Sequence, residues 1–299
     1  MTSILFVCSG AKHLASSVIN QTGLRSGLYR LGFFADGEIS FYLDEPVKGN
    51  KCYVLGSTGA PGDNLLEMLT IVNTLKINKA KQIIAVIPYL GYSRSDRQKP
   101  LQPINARLFP RLLAQAGVDR FVTLDLHSNL VERYIPKKNI HLTTTNLFAD
   151  EITKLKLRNF TIASPDLGGA KRASKIAKLL GLKGITLVEK HRPKDDTTEV
   201  TRISGESLEG KDVVFIDDMI MTGRTLTNAA KAVKKAGALR CFALATHCVY
   251  PAKGIKLLSN SSTFSKIIIT NSLSKLYNLS SKVTIKDISS LIANAILSA

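Results

Sequence analysis

The stretch VVFIDDMIMTGRTL, Val213–Leu226, passes from an apolar strand through a short polar turn into a helix. The apolar run ends at Ile216, and such runs, hydrophobic on both faces, are typical of strands buried in a parallel sheet. The turn Thr222–Thr225 follows, and a helix is predicted right after it. In open α/β sheets, ligands bind at the carboxyl ends of strands. This stretch therefore predicts both an α/β fold and the place of its site.

The turn has the chemistry of a phosphate site. The start of a helix offers free N–H groups and a positive dipole end. Gly223 lets the backbone come close, and the hydroxyls of Thr222 and Thr225 add donors. Asp217 and Asp218 cannot bind phosphate, but adjacent carboxylates suit the vicinal hydroxyls of a ribose, directly or through Mg²⁺. We therefore predict a sugar-phosphate site; the simpler alternative is an ordinary turn with a capping threonine.

Strands and helices alternate from end to end. This pattern predicts an α/β fold with two doubly wound domains, each a mostly parallel sheet flanked by helices. The predicted strands are Ile4–Cys8, Ile39–Leu43, Cys52–Leu55, Ile83–Ile87, Phe121–Leu124, Phe160–Ala163, Ile185–Val188, Val213–Ile216, Cys241–Ala245 and Ile267–Thr270.

The polar stretch Ile135–Thr145 is predicted to link the two domains. The N-terminal domain then covers residues 1–140, and the C-terminal domain, which carries the phosphate turn, covers residues 141–283. A last helix is predicted over Thr284–Leu297 from its helical spacing of apolar residues. We expect the segment 284–299 to pack back on the N-terminal domain.

The 299-residue chain is strongly basic, with 41 Lys and Arg against 23 Asp and Glu and a net charge of +18. Such an excess favours nucleic acid, a membrane surface or phosphorylated small molecules as partners. The basic residues are scattered, and no apolar run approaches the roughly 18 residues of a membrane span. We therefore expect no nucleic-acid and no membrane partner, and charge alone does not choose a function.

The four cysteines lack the paired spacing of metal sites and are too few for a disulfide scaffold. They indicate core thiols in a reducing compartment. The start MTSILFVCSG has no basic segment ahead of its short apolar run, so we interpret it as a strand rather than a signal peptide. These observations predict a cytoplasmic protein. The cysteines are Cys8, Cys52, Cys241 and Cys248.

Four further segments accompany the phosphate turn and, with it, resemble the ribose-phosphate pyrophosphokinase family, of the type I phosphoribosyltransferase fold. The resemblance covers nearly the whole chain. The segments are FADGE (Phe34–Glu38), AVIPYLGYSRSDR (Ala85–Arg97), TLDLH (Thr123–His127) and SPDLGGAKRA (Ser164–Ala173), the last running on to LVEKHRPKDDTTEV (Leu187–Val200). Three departures from the family pattern indicate a divergent branch: Ser95 where Gln is common, His191 where Arg is frequent, and Met221 where the main branch often has Asp.

The resemblance implies a role for each segment. Lys190 and Arg192 match two essential cations of a flexible catalytic loop, and His127 and Asp166 lie near the expected Mg²⁺. The residues implied for ATP are Phe34, Asp36, Gly37, Glu38, Arg94, Ser95 and His127. Those implied for ribose 5-phosphate are Arg192, Asp217, Asp218, Met221, Thr222, Gly223, Arg224 and Thr225.

The implied reaction transfers the β,γ-diphosphoryl group of Mg-ATP to the C1 hydroxyl of ribose 5-phosphate, which gives 5-phosphoribosyl 1-diphosphate and AMP. The resemblance also implies a homo-oligomer (dimer, tetramer or hexamer) in which FADGE reaches a neighbouring subunit. One alternative is a phosphoribosyltransferase, which shares the 217–225 loop but would not need FADGE and usually has one domain. Another is a catalytically silent regulatory homologue, although that class should have lost the reactive residues.

Overall fold

The computed structural model describes residues 2–191, 199–274 and 279–299. Two compact units form: the first comprises Met1–Leu142, Ser272–Ser274 and Asp287–Ala299, and the second comprises Thr143–Asn271 and Lys275–Lys286. Each unit carries its own parallel sheet with helices on it, which confirms the predicted fold class. No helix in the described part of the chain is both long and apolar enough to cross a bilayer.

The described elements alternate along the chain as the sequence predicts, with additional short strands. The strands, labelled β1 to β15 in chain order, are Ser3–Val7, Arg25–Ser26, Tyr29–Phe33, Ile39–Leu43, Lys51–Leu55, Gln82–Ile87, Arg120–Leu124, Lys138–Leu142, Phe160–Ser164, Thr186–His191, Glu199–Ser204, Asp212–Ile220, Arg240–Cys248, Phe264–Thr270 and Val283–Lys286. The α-helices, α1 to α9, are Lys12–Thr22, Asp63–Ile77, Asn105–Ala116, Asn129–Tyr134, Thr145–Lys154, Ala170–Leu179, Arg224–Lys235, Pro251–Asn260 and Ser289–Ser298.

The first unit is a fully parallel sheet in the order β2-β1-β5-β6-β7-β8, accompanied by the antiparallel hairpin β3–β4. Its core fills the space between the apolar strands and α2, which buries Leu65, Met68 and Leu75 at helical spacing. Helix α9 is anchored here, because its Ile296 carbonyl accepts a hydrogen bond of 3.1 Å from the Tyr53 hydroxyl.

The second unit is a sheet in the order β11-β10-β9-β12-β13-β14-β15, parallel except for β11, which runs antiparallel to β10. The central strands β12 and β13 are apolar and almost wholly buried, as strands covered on both faces must be. The four cysteines of the chain are buried free thiols, as predicted.

The boundary between the two units, between Leu142 and Thr143, lies inside the predicted linker Ile135–Thr145. The same stretch also contains β8, which pairs in parallel with β7 and which the sequence did not predict. One prediction at the end of the second sheet is wrong. The predicted helix over Thr284–Leu297 begins only at Ser289, because the preceding segment Val283–Lys286 is β15 and pairs with β14. Apolar residues such as Ile285 and Ile288 fit either a helix or the end of a strand, and the pairing with β14 decides for a strand at Ile285.

Candidate active site

The phosphate loop, Thr222–Thr225, joins β12 to α7 in the second unit. Strand β12 continues to Ile220 rather than ending at Ile216 as predicted, because β13 offers backbone partners as far as Cys248. The loop then turns through Gly223, whose φ of +74° is in the left-handed region, and α7 begins at Arg224. Its inner face buries the predicted residues Leu226, Ala229, Ala230 and Val233. The first N–H groups of α7 therefore stand at the carboxyl end of a central strand, where a phosphate is favoured.

The side chains of the loop differ in exposure. Met221 and Thr222 are half-buried, Gly223 is buried, and Arg224 and Thr225 are exposed in the first turn of α7. That turn contains no acidic residue. No carboxylate in the first turn of α7 therefore repels an anion that enters the loop from solvent.

Helix α8 packs directly against the phosphate loop, and sequence reasoning missed this contact. A Cβ atom on Gly223 would lie 2.8 Å from the carbonyl oxygen of Gly254, and a Cβ on Gly254 would overlap the carbonyl oxygen of Met221. Both glycines are thus required for close packing of two backbones. The available signal was a glycine inside the helical pattern PAKGIKLL, which is unfavourable for a helix unless packing requires it.

The acid pair lies within β12, near the C-terminal end of the strand. Asp217 is 9% exposed and Asp218 is 6% exposed, and the Asp218 N–H donates a hydrogen bond of 2.9 Å to Oδ1 of Asp217. Arg172 Nη1 of α6 lies 4.0 Å from Oδ1 of Asp218, a partner that sequence reasoning also missed. Burial is the main cause that raises the pKa of Asp217 well above its ordinary value; the carboxylates of Asp218 and Asp166 add to it, and Arg172 opposes them.

Asp166 brings a third carboxylate to this edge of the sheet. It follows β9, is half-buried, and its Oδ1 accepts a hydrogen bond of 3.2 Å from the Gly169 N–H, while its carbonyl accepts one of 2.6 Å from the Ser164 hydroxyl. A Cβ on Gly169 would lie 2.7 Å from Ser164 Oγ, so the glycine keeps this turn tight. Asp166 is thereby fixed close enough to Asp217 to influence its charge.

Carboxylate oxygens such as those of Asp166 are the ligands that a hard divalent cation such as Mg²⁺ prefers. The carboxylates of Asp218 and Asp166 add to the effect of burial in raising the pKa of Asp217. Within the described residues, however, no set of three or more His, Cys, Asp or Glu side chains is arranged around one metal position. A Mg²⁺ would therefore take few ligands from the protein and the others from phosphate oxygens and water, which is its usual habit.

The first unit joins two of the predicted ATP segments. The carboxylate of Asp96, which is buried, accepts a hydrogen bond of 2.5 Å from the Ser128 hydroxyl. This contact ties the segment of Arg94 and Ser95 to that of His127, which is half-buried after β7. The structure thus brings these segments together, with Arg94 exposed. Sequence reasoning missed Asp96 and Ser128, although Asp96 lies inside the quoted segment.

A second contact holds the same place. The Tyr134 hydroxyl of α4 donates a hydrogen bond of 3.0 Å to the carbonyl oxygen of Asp96. The Ala106 N–H at the start of α3 donates one of 3.1 Å to the Ser95 carbonyl, and the Ser95 hydroxyl also donates to the Pro103 carbonyl. The backbone around Arg94 is therefore fixed from both sides while its side chain faces solvent.

The FADGE segment forms the tip of the hairpin β3–β4. The Phe34 N–H donates to the Glu38 carbonyl at 2.8 Å, and the Glu38 N–H donates to Oδ1 of Asp36 at 3.0 Å, so Asp36 orders the turn. Gly37 takes the left-handed conformation with φ of +92°. All five residues are exposed, and the Phe34 ring is 50% exposed. The Phe34 ring at the tip is therefore not covered by the rest of the first unit.

Of the two predicted catalytic cations, Lys190 has a described backbone and Arg192 does not. Lys190 belongs to β10, and its backbone pairs with Val200 of β11 after an irregularity in register. The predicted loop Leu187–Val200 is therefore strand at both ends. Arg192 lies outside the described residues, and the roles of Lys190 and Arg192 stay predictions.

Comparison with known proteins places the whole chain in one family. The family model for the N-terminal domain of ribose phosphate pyrophosphokinase matches residues 3–117, and that for the phosphoribosyl transferase domain matches residues 132–274. A ribose-phosphate pyrophosphokinase of Chlorobaculum tepidum is 40% identical over 88% of this chain and 81% of its own length. One from Vibrio cholerae is 36% identical over 98% and 94%.

A solved structure agrees with these sequence relatives. The crystal structure of phosphoribosylpyrophosphate synthetase from Mycobacterium smegmatis superposes with a TM-score of 0.90 at 30% identity, and the match covers 99% of this chain and 98% of that one. This match covers the residues of both units. The chain therefore belongs to the ribose-phosphate pyrophosphokinase family.

Proposed function

We propose that this chain transfers the β,γ-diphosphoryl group of ATP to ribose 5-phosphate, giving 5-phosphoribosyl 1-diphosphate and AMP. The oxygen of the C1 hydroxyl attacks the β-phosphorus, the bond from that phosphorus to the α,β-bridging oxygen breaks, and the hydroxyl proton is released. The observation that carries the proposal is the phosphate loop with its buried acid pair, in a chain that matches its relatives over both domains.

Ribose 5-phosphate is assigned to the second unit. The N–H groups at the start of α7 and the hydroxyls of Thr222 and Thr225 would hold the 5-phosphate, because Gly223 removes any side chain from the approach. The carboxylates of Asp217 and Asp218 would accept hydrogen bonds from the ribose hydroxyls. Asp218 is suited to this role in its charged form, since Arg172 lies 4.0 Å away.

ATP is assigned to the first unit. Arg94 is an exposed guanidinium on a backbone that Asp96 and Ser95 hold in place, and such a group suits bidentate contact with a triphosphate. His127 lies on the adjoining segment, tied through Ser128. The Phe34 ring would stack on adenine, with Asp36, Gly37 and Glu38 shaping the turn around it.

Asp166 is the side chain proposed for Mg²⁺ in the second unit, because this cation prefers oxygen ligands. When bound, Mg²⁺ neutralises charge on the phosphate oxygens. Lys190 and Arg192 would stabilise the charge on the transferring group, since such reactions depend on positioning and charge stabilisation rather than on covalent catalysis.

The assembly is proposed to be a homo-oligomer, a dimer, tetramer or hexamer. The exposed hairpin tip supports this, because a half-exposed aromatic ring such as that of Phe34 can serve a neighbouring subunit. Light scattering coupled to size-exclusion chromatography measures the copy number, and a monomer at working concentration would contradict this part of the proposal.

A ³¹P NMR time course with ribose 5-phosphate, ATP and Mg²⁺ tests the reaction. We expect the ATP signals to fall while those of AMP and 5-phosphoribosyl 1-diphosphate rise in equal amounts. Asp218→Asn should stop the conversion, whereas Asp150→Asn, which changes an exposed carboxylate on α5, should not. Unchanged ATP with the wild-type chain would contradict the proposal, and consumption of 5-phosphoribosyl 1-diphosphate with a free base would indicate a phosphoribosyltransferase instead.

A further inference from the structure

A basic cavity of about 520 Å³ opens beside the phosphate loop. Its walls come from the loop and from one side of α8, so that the cavity belongs wholly to the second unit. The proposed reaction gives no role to any residue of α8. The lining residues are Thr222, Arg224, Tyr250, Ala252, Lys253, Lys256, Leu257 and Asn260.

The cavity collects positive charge without a counter-charge. Arg224, Lys253 and Lys256 line it, and the lining includes no Asp or Glu. Among the residues that the structure describes, none of these three cations takes part in an ion pair. Three like charges around one space repel each other, and an anion between them would turn that repulsion into attraction.

The stability of the helices does not explain these cations. Lys253 lies in the first turn of α8 and Arg224 is the first residue of α7, and cations in a first turn oppose the helix dipole. Lys253 and Lys256 are also three residues apart on one helix, where like charges are unfavourable. Close backbone packing of Gly223 on Gly254 fixes α8 against the loop, so the cations are held around the cavity by two packed elements.

We infer that this cavity is a second anion site, which binds the phosphate group of a small phosphorylated molecule through the side chains of Arg224, Lys253 and Lys256. Asn260 can add hydrogen bonds. Tyr250, which is 52% exposed, and Leu257 offer apolar surface to the organic part of the ligand. The site adjoins that of the 5-phosphate, which is assigned to the backbone N–H groups of the loop and to the hydroxyls of Thr222 and Thr225; in this one respect it rests on the proposed function.

Protection from acetylation tests the site directly. Inorganic phosphate, added at constant ionic strength, should slow the acetylation of Lys253 and Lys256 severalfold, as followed by mass spectrometry. Lys231 and Lys235, an exposed pair on α7 that does not line the cavity, should react at an unchanged rate. Equal protection of both pairs would mean general screening of charge and would overturn the inference.

Calorimetry with inorganic phosphate completes the test. Lys253→Ala/Lys256→Ala should weaken phosphate binding by about tenfold, whereas Lys231→Ala/Lys235→Ala should not change it. Ribose 5-phosphate, at a concentration that fills the loop, should leave the protection of Lys253 and Lys256 in place. Full loss of that protection, or equal phosphate affinity in both double variants, would refute the second site. The AMP-release assay is separate, so failure here leaves the proposed reaction standing.

Discussion

Replacing Gly223 by alanine tests the geometry on which the phosphate loop depends. The residue has a φ of +74°, and an added Cβ would lie 2.8 Å from the carbonyl oxygen of Gly254 and 3.2 Å from Cγ of Leu258. Two penalties therefore add: the left-handed backbone itself, and the steric conflict with α8.

The two penalties can be estimated separately. A left-handed conformation costs an alanine about 1–2 kcal/mol. A contact that forces α8 or the loop to move is a case of overpacking, which costs about 1–3 kcal/mol. We therefore expect Gly223→Ala to lower the free energy of unfolding by about 2–5 kcal/mol.

Gly181→Ala supplies the matched control. Gly181 follows α6 in the same unit with a φ of +72°, and no atom lies within 4 Å of an added Cβ. This variant has the backbone penalty alone, about 1–2 kcal/mol. Denaturant unfolding followed by far-UV circular dichroism measures both variants, and the difference between them isolates the conflict with Gly254.

Kinetics give a second readout. Displacement of the loop should raise the KM for ribose 5-phosphate in Gly223→Ala by about tenfold, equivalent to about 1.4 kcal/mol. Gly254→Ala, which presses on Met221 from the opposite side, should have the same effect. If Gly223→Ala proves no less stable than Gly181→Ala and keeps its KM, the close approach of α8 does not set the loop geometry and the reasoning is wrong.

Three further predictions examine the remaining parts of the site. Lys190→Ala should lower the rate of AMP release by about 10²–10³-fold while ribose 5-phosphate binding persists. Lys175→Ala, which changes an exposed lysine of α6, should leave that rate unchanged, and a coupled assay for AMP measures both variants. Asp217→Asn should stabilise the fold at pH 7: because the folded pKa of Asp217 is raised, the wild type loses stability as pH rises from the ordinary value of 3.8 toward that folded pKa. The stability difference, measured by denaturant unfolding, should therefore shrink at lower pH, and a difference independent of pH would contradict the buried charge. Asp96→Ala should raise the KM for ATP by about tenfold, and Ser128→Ala should raise it through loss of the same hydrogen bond. The double variant should therefore raise the KM by less than the product of the two single effects. Fully additive losses would show that the two residues do not act through this contact.

The architecture was largely accessible from the sequence because it rests on local patterns. Apolar runs such as Ile83–Ile87 and the helical spacing in α2 each identify their element without knowledge of neighbours. Short strands such as Arg25–Ser26 escaped, since an edge strand with exposed residues carries no hydrophobic pattern. The extension of β12 past Ile216 escaped for a related reason, because buried carboxylates in a strand look like a strand end until a partner strand is known.

The sequence by itself determined which chemistry the chain can perform, because a strand, two acids and the Thr222–Thr225 turn are contiguous, so that the covalent chain fixes their spacing. Only the tertiary structure decided what surrounds that turn. The packing of Gly254 on Gly223, the approach of Arg172 to Asp218, and the hydrogen bond between Asp96 and Ser128 join residues 31, 46 and 32 positions apart in the chain. Contacts of this kind depend on which elements lie side by side in space, and no local pattern of residues encodes that choice.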